Sequence, residues 1–519
     1  MKTMTMLRIG SAAIPLALTM PVHAQVRVAE PATPGVASQS REVETASDII
    51  VTGAIAFRNR TTDTNPVLSY DLEYFQRFEP VSVGEMLKRV PGVTFTADVL
   101  EYDQAQFRGL PGGYTQVLIN GRRAPGGEAD RSFFVDRIPA ELVERIEIVR
   151  SPRADQPSEG VAGSLNIVTK EAASFTGGFG KIGGLVNQDG RVRPSIAGAY
   201  AGKIGADTSY WAALNYQERR NPKKKVSLRF DDVATGSRDA ADPAFADTEI
   251  QDDTRDGSDL SGSAELRTGF LGTGFARLQG FFVDTARTEF ERSVTYEGAD
   301  LDFDGVETQN EDIDQQTYTI SSDARFPLGG GIDLGLAAGW SGYREDTRTT
   351  TFAGDNADDF TDLEPDDDDR IAIKDDEYTG TASLAFGGKP VGLKVGIDLL
   401  RKERKGLNDG DFLSGAFAVS ETRYDPYARV TIEPAATLSI DAGLRYEITR
   451  RTVRSNEADE NALTQSAKYK TESLNPSLHL RYEPTGVDQF RASIARTVRR
   501  PDYDLITPYL QKEEPADEN

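Results

Sequence analysis

From about residue 175 onward the chain repeats one pattern: short segments with an apolar residue at every second position, separated by turn residues. Successive side chains of a strand point to opposite faces, so each such segment has one apolar and one polar face. The clearest run is 437–449. Leu438, Ile440, Ala442, Leu444, Tyr446 and Ile448 share one face; Ser439, Asp441, Gly443, Arg445, Glu447 and Thr449 share the other. Ile332, Leu334, Leu336, Ala338 and Trp340 repeat the pattern, as do Val391, Leu393, Val395, Ile397 and Leu399. Aromatic residues (Phe270, Phe275, Tyr343, Tyr424, Tyr482) stand near segment ends. Tight links fall near 203–207, 268–274, 327–331, 387–390, 433–437 and 483–489. Long polar links fall near 219–258, 285–315, 344–376, 403–421 and 450–472. A soluble sandwich also alternates, but it has no reason to gather its long loops at one end. Short turns at one rim and long loops at the other are the pattern of an antiparallel transmembrane β-barrel, here with about thirteen strands of roughly ten residues.

Composition alone resembles a soluble chain: 519 residues, 38% hydrophobic, mean hydropathy −0.46. No mature stretch reaches the roughly 18 apolar residues of a membrane helix, a test that barrels escape because only alternate residues face lipid. The formal net charge of −24 argues against a nucleic-acid partner, which needs a basic surface. The absence of cysteine excludes disulfides and thiolate chemistry. With His23 and His479 the only histidines, histidine catalysis and multi-histidine metal sites are excluded as well. Lys2 and Arg8, then the apolar run Ile9 to Met20, then Val22-His23-Ala24, read as a secretory signal peptide over 1–24. Residues 25–65 read as a disordered periplasmic tether rich in Ala, Pro, Ser and Glu. Within it Asp48-Ile49-Ile50-Val51-Thr52-Gly53 is a β-prone hexapeptide able to add a strand to a partner's sheet edge.

Residues 66–172 read as a compact α/β domain. Ser82-Val83-Gly84-Glu85 is a capping box opening a helix that puts Val83, Met86, Leu87 and Val90 on one face, ended by Pro91-Gly92. Thr115 to Asn120 reads as a strand with Gly121 at its turn, Pro139 as the start of a second helix, and Ile146 to Val149 and Ser164 to Lys170 as strands. Several stretches occur in a telling order: Leu87-Lys88-Arg89-Val90-Pro91-Gly92-Val93, Phe107-Arg108-Gly109, Val117-Leu118-Ile119-Asn120-Gly121-Arg122, Ile138-Pro139, Glu144-Arg145-Ile146-Glu147-Ile148-Val149-Arg150, and Gly160 to Lys170. In this order and spacing the chain resembles the TonB-dependent outer-membrane receptors, and Phe490 to Pro508 is similar to a late barrel strand and its outer loop.

The resemblance implies a plug (66–172) inside a barrel (175–519) of about 22 strands, in the outer membrane of a Gram-negative bacterium. It implies a non-enzymatic role, with energised uptake of a scarce large nutrient: a ferric siderophore first, an oligosaccharide or cobalamin as the other candidates. The implied partners are TonB, with 48–53 as its box, outer-membrane lipid and lipopolysaccharide, the barrel-assembly machinery, and a small-molecule or glycan ligand. Arg108 and Arg145 are implied plug-to-barrel ion-pair residues, with Glu447 as an inward receiver. Tyr102, Asp103, Tyr114, Arg123 and Arg131 are ligand candidates in the plug loops. Two departures stand out. Ala154-Asp155-Gln156-Pro157 replaces the tyrosine-glycine pair of many members. The chain also finishes Ala516-Asp517-Glu518-Asn519 instead of on an aromatic strand residue, which implies C-terminal truncation with about nine strands missing, and an open barrel edge cannot sit in lipid.

Three further readings stand beside the resemblance. Asp300, Asp302, Asp304, Gly305 and Glu311 match the spacing of a calcium-binding loop, with Val306 offering its carbonyl. A Ca2+ site in the 285–315 loop is therefore an expectation, though no cofactor is required. Gly178-Phe179-Gly180-Lys181-Ile182-Gly183 matches G-x-G-x-x-G but lacks the surrounding βαβ pattern, so glycines of a barrel strand beside the plug explain it better. A passive porin and a secreted β-scaffold glycoside hydrolase are the alternatives in function; a porin needs no folded N-terminal domain, and the hydrolase is left only a carboxylate pair.

Overall fold

The computed structural model describes residues 57–58, 64–97, 103–124, 131, 133–170, 176–230, 245–298, 300–355, 360, 363–410, 415–457, 465–485, 488–503 and 505–506. The signal peptide, most of the tether and the 48–53 hexapeptide lie outside these residues.

The first part is a small mixed-sheet domain. Its main sheet runs β1 (Phe57–Arg58), β2 (Val67–Asp71), β7 (Val143–Val149), β8 (Gly163–Thr169), β5 (Thr115–Ile119), β6 (Arg122–Arg123) in spatial order. Strands β5 and β8 are parallel and the rest antiparallel. A separate hairpin pairs β3 (Val93–Ala97) with β4 (Asp103–Phe107). Helix α1 is Leu72–Gln76 and α2 is Val83–Leu87. The Ser82 hydroxyl caps α2 by accepting from the Glu85 N–H, and the Glu85 carboxylate accepts from Val81 N–H, which satisfies two of the helix's orphan donors. Val83, Met86, Leu87 and Val90 are all buried, together with Ile138, Ile146, Ile148, Leu165 and Ile167. Past Pro139 the chain makes only a 3₁₀ turn, Ala140–Leu142, where a helix was expected; Val143 already enters β7, whose β-branched residues are buried in the sheet.

The second part is one meandering antiparallel sheet of 13 strands, the number counted from the sequence. They are β9 (Gly177–Val186), β10 (Val192–Ile204), β11 (Thr208–Phe230), β12 (Phe245–Phe270), β13 (Gly274–Glu297), β14 (Asp302–Gly329), β15 (Ile332–Gly354), β16 (Glu364–Gly387), β17 (Val391–Asp409), β18 (Gly415–Ala435), β19 (Leu438–Glu457), β20 (Gln465–Tyr482) and β21 (Phe490–Ala495). Each pairs with its sequence neighbour, leaving β9 and β21 as the two edges of a partial barrel.

Its faces are inverted relative to a soluble sheet. In β19 the polar Asp441, Arg445, Glu447 and Thr449 are buried, while Leu444 is 44% exposed. On β20, His479 is fully buried beside Leu478 at 47% exposure. The apolar face therefore points to lipid and the polar face inward. From Leu438 to Ile448 the outward face of β19 is apolar; ten residues at about 3.4 Å, tilted by about 40°, rise about 26 Å, close to the ~25 Å lipid band of such barrels.

From β11 to β20 the strands are much longer than the ten residues expected, from 18 in β20 to 28 in β14, while β9, β10 and β21 have 10, 13 and 6 residues. Most of what alternation assigned to long loops is strand: 285–315 is β13, a short turn and the start of β14. Above the lipid the hydrogen-bonded ladder continues, but both faces meet water, so apolar alternation stops while the strand does not.

Candidate functional site

The plug sits against the inward face of the sheet; Ala199, Ala201, Trp211, Ala213, Phe281 and Val283 of β10, β11 and β13 join the plug's buried apolar cluster, and the joint to the later strands is built from charge. Residues nearest the start of the plug meet the tight-turn end of the strands: Thr64 shares a hydroxyl hydrogen bond (2.7 Å) with Ser439, and Arg491 Nη1 donates to the Asn65 carbonyl. The β7–β8 connection, residues 150–162, then climbs along β17 to β20. His479 Nε2 lies 3.2 Å from the Pro152 carbonyl. Asp155 takes Lys394 at 2.9 Å and Arg429 at 3.3 Å. Ser158 Oγ donates to Glu447, and Asn475 Nδ2 donates to Ser158 Oγ at 3.1 Å. Glu159 binds Arg123 of the plug at 2.6 Å, Arg423 of β18 at 2.6 Å, and Arg500. Arg500 also reaches Glu447 at 2.8 Å and the Thr449 hydroxyl at 2.7 Å.

Burial alone would raise the Glu159 carboxyl, but Arg123, Arg423 and Arg500 hold it well below the usual carboxylate range. Burial likewise works against ionised Asp155, and Arg153, Lys394 and Arg429 override it, so that carboxyl too is held low. A third joint differs. Arg219 of β11 bridges plug Asp136 (2.7 Å) and barrel Asp259 (2.9 Å), and Asp136 also accepts from the Ser82 hydroxyl. Here burial wins over Arg219 and Ser82 and pushes the Asp136 carboxyl up to about 6. On the far side Lys181 of β9 pairs with plug Glu141 at 2.7 Å, so the glycine-rich 178–183 segment is a barrel strand beside the plug.

The loop can make this approach because two glycines close it. Gly160 has φ +88, and a Cβ there would lie 2.7 Å from the Gly163 carbonyl oxygen. Gly163 has φ +132, and its Cβ would press on the Phe107 ring at 3.0 Å. Both conformations strain any other residue.

Beyond Ala495 the chain leaves β21 and crosses over the plug. Val498 N–H donates to the Ser158 carbonyl, and Arg499 stacks on the Tyr114 ring at 4.1 Å and donates to its hydroxyl at 3.1 Å. Arg131 donates to the Pro501 carbonyl (2.9 Å) and the Tyr503 hydroxyl (3.1 Å), and its guanidinium lies 3.6 Å from Glu421. A pocket opens between Tyr114, Arg123, Arg131, Glu159, Gly160 and Arg499.

Three of the five ligand candidates, Tyr114, Arg123 and Arg131, thus come together. Asp103 opens β4, opposite Ala97; Tyr102 lies outside the described residues. Neither ion-pair candidate is among the residues of the joints above. Arg108 is exposed, in a tight turn with φ +59, with its guanidinium 5.3 Å from the Phe107 ring and no ion pair among the described residues. Arg145 pairs with Glu144 (2.9 Å) and Glu147 (2.8 Å), both on its own strand β7. The polarity of the principal joint is the reverse of that expected, since here the plug supplies carboxylates and the barrel cations. Glu447 is inward and buried as expected, but serves Arg500, Arg423 and Arg445.

The calcium-type set is not brought together. Asp302, Asp304, Val306 and Glu311 lie along the single extended strand β14, with Val306 opposite Val294 and Glu311 opposite Glu289. Nine residues of strand place Asp302 and Glu311 about 30 Å apart, too far for one cation at 2.3–2.6 Å from each ligand. Among the described residues no cluster of three or more His, Cys, Asp or Glu side chains is placed to hold a metal ion.

Sequence comparisons agree with this architecture. Residues 59–164 match the TonB-dependent Receptor Plug Domain family, and residues 246–514 match the family described as TonB dependent receptor-like, beta-barrel. A vitamin B12 transporter, BtuB, of Photobacterium profundum is 30% identical over 192 residues, 34% of this chain and 30% of the relative. The crystal structure of the siderophore receptor PiuA from Acinetobacter baumannii superimposes with a TM-score of 0.57 at 13% identity, covering 83% of this chain and 64% of that one. The unliganded ferric citrate transporter FecA aligns at 13% identity and a TM-score of 0.46, over 84% of this chain and 79% of that one. The matched regions thus span less than two thirds of the first two relatives. With a plug matching one family description and more than half its length matching the other, the chain belongs to the TonB-dependent receptors of the Gram-negative outer membrane.

Proposed function

We propose that the chain is the plug and partial barrel of an active uptake receptor that imports a ferric siderophore-type chelate, driven by TonB through residues 48–53. One observation carries this reading: Glu159 ties the plug to Arg423 and Arg500 of the barrel, and the adjoining Gly160 lines the outer pocket with Tyr114, Arg123 and Arg131. A ligand seated there touches the same loop that holds the plug in place. Binding can therefore shift the plug's ion pairs, and a pull on the tether can release them. Tyr and Arg side chains suit an anionic, aromatic-rich metal chelate, offering charge-assisted hydrogen bonds and stacking. The relative described as a vitamin B12 transporter favours cobalamin as the second reading.

Uptake by the protein in its natural full-length context tests this. Radiolabelled ferric catecholate, ferric hydroxamate, ferric citrate and cyanocobalamin are offered to a deletion strain and its complemented counterpart. One ferric chelate should require both this protein and TonB. Ile50→Pro, which removes a donor from the hexapeptide, should leave binding intact and abolish uptake. Uptake of the chelate that ignores TonB contradicts the reading, and cobalamin transport alone favours the second one.

A further inference from the structure

Arg131 is already occupied. Its Nε donates to the Pro501 carbonyl and its Nη1 to the Tyr503 hydroxyl, and its guanidinium lies 4.0 Å from the centre of the Tyr503 ring. Two more cations approach the same ring from β17, Arg404 at 4.7 Å and Lys402 at 5.6 Å. All three stand within reach of a cation–π contact. Val419 of β18 and Val453 of β19, in register with Arg404, pack with the ring as an apolar floor. Tyr503 is 2% exposed there.

Carboxylates hold these cations in place. Asp375 lies 3.0 Å from Lys402 and 3.3 Å from Arg404, and Glu377 lies 3.5 Å from Lys402. Glu421 lies 2.7 Å from Arg451 and 3.6 Å from Arg131. Arg131, Lys402, Arg404 and Arg451 thus stand against Asp375, Glu377 and Glu421, and the surplus is positive. The segment that delivers Tyr503 is strapped across the plug by Val498, whose N–H donates to the Ser158 carbonyl, and by Arg499, stacked on Tyr114 at 4.1 Å. Under this strap the pocket beside Tyr114, Arg123 and Arg131 has a volume of about 40 Å³. A drug-sized ligand needs roughly 300 to 1,000 Å³. A chelate therefore reaches Tyr114 and Arg131 only when the strap withdraws, and withdrawal takes Tyr503 out of its seat.

We propose that Arg131, Lys402 and Arg404 form a seat for one catecholate ring of the imported chelate, and that Tyr503 masks this seat as an internal stand-in for that ring. The proposal rests on the uptake reading above and narrows its ligand to the catecholates. The occupant follows from what the seat already holds: a hydroxylated aromatic ring, cations against it and an apolar floor beneath. A ferric tris-catecholate offers the same ring and adds an overall negative charge, which the cationic surplus favours over a phenol. Hydroxamate and citrate chelates present no aromatic ring, so they gain nothing from the cation–π geometry. Ligand and strap then compete for one seat. The apparent affinity is lowered by the fraction of molecules in which Tyr503 is seated, so weakening the mask strengthens binding.

The test uses the natural full-length protein in detergent, with ferric enterobactin as the tris-catecholate probe and ferrioxamine B as the hydroxamate control. Tyr503→Ala removes the mask and should tighten ferric enterobactin binding roughly tenfold, with ferrioxamine B unchanged. Tyr503→Phe keeps the ring and should tighten it less. Lys402→Gln should weaken ferric enterobactin roughly fivefold and leave ferrioxamine B alone. Should these variants fail to fold, a nitroxide on Leu505→Cys, in a protein that keeps Tyr503, reports the strap directly. It should gain mobility when ferric enterobactin binds and stay fixed with ferrioxamine B. Parent-like affinity of Tyr503→Ala for ferric enterobactin, equal tightening for both probes, or a nitroxide unmoved by bound ferric enterobactin each overturns the seat. Import of ferric citrate or ferrioxamine B without any binding of ferric enterobactin also overturns it and leaves the uptake reading standing. Ferric enterobactin that binds in a Tyr503-dependent way but is never imported overturns the uptake reading alone.

Discussion

Ile146 of the plug and Glu447 of the barrel are both buried, and they are buried for opposite reasons. Ile146 sits in an ordinary apolar core, where removing carbon from water supplies the stabilisation. Glu447 lies on the inward face of a sheet whose apolar side is turned to lipid, and it is held by Arg423, Arg445, Arg500 and Ser158. The plug is assembled by the hydrophobic effect; it meets β10, β11 and β13 through apolar residues such as Trp211 and Phe281, and β17 to β20 through charge. A joint of ion pairs around Ser158 and Glu159 can be exchanged for water, which fits the plug movement that the proposed uptake requires.

The contrast can be broken from either side. The largest effect is expected from Ile146→Asp, which puts an unpaired carboxylate into the plug core at a cost of about 5 kcal/mol. The plug should become protease-sensitive while the barrel strands keep their circular dichroism. Glu159→Gln comes next. It leaves Arg123, Arg423 and Arg500 short of their shared carboxylate, a loss of about 3–4 kcal/mol, read as earlier plug release in urea with the apolar core unaltered. Leu444→Arg, near the middle of the lipid-facing band, should cost about 3 kcal/mol of barrel stability in the natural full-length protein and leave the plug untouched, as measured by refolding into vesicles.

The smallest effect concerns pH. The folded-state pKa of Asp136, about 6, lies above its ordinary 3.8. The folded protein therefore holds an extra proton between those values. That contribution is complete below pH 3.8 and is lost as pH rises through 6. Asp136→Asn should remove it, so the variant gains about 2–3 kcal/mol relative to the parent between pH 4 and pH 7. Glu159 and Asp155 run the other way, since their depressed values stabilise the docked plug above the ordinary carboxylate range and lose that effect in acid. A flat difference between parent and Asp136→Asn across this range would remove the pH dependence assigned to that joint.

Much of the fold was legible because lipid imposes a strict alternation. The run from Leu438 to Ile448 can face only one way, and the strand count followed from such runs. Strand length was not legible, since above the lipid nothing requires every second residue to be apolar. For the same reason the Asp300–Glu311 spacing read as a curled loop, although Thr308 and Asn310 stand in register with Arg292 and Phe290. The plug core was legible from the helical spacing of Val83, Met86, Leu87 and Val90. The docking residues were not: Glu159 and Arg500 meet across 341 positions, and no local pattern joins them. A hint existed at Ala154-Asp155-Gln156-Pro157, where the resemblance led one to expect a tyrosine-glycine pair. In that segment Asp155 meets Lys394 and Arg429.

The most direct measurement exploits a chain without cysteine. Ser158 and Asn475 join plug to barrel across a 3.1 Å hydrogen bond, and replacing both by cysteine in the natural full-length protein allows them to be locked by oxidation. If the plug must leave these contacts for passage, the oxidised protein should bind its ligand and fail to import it, and reduction should restore import. Import at the normal rate with the cross-link intact would contradict a plug held by releasable ion pairs.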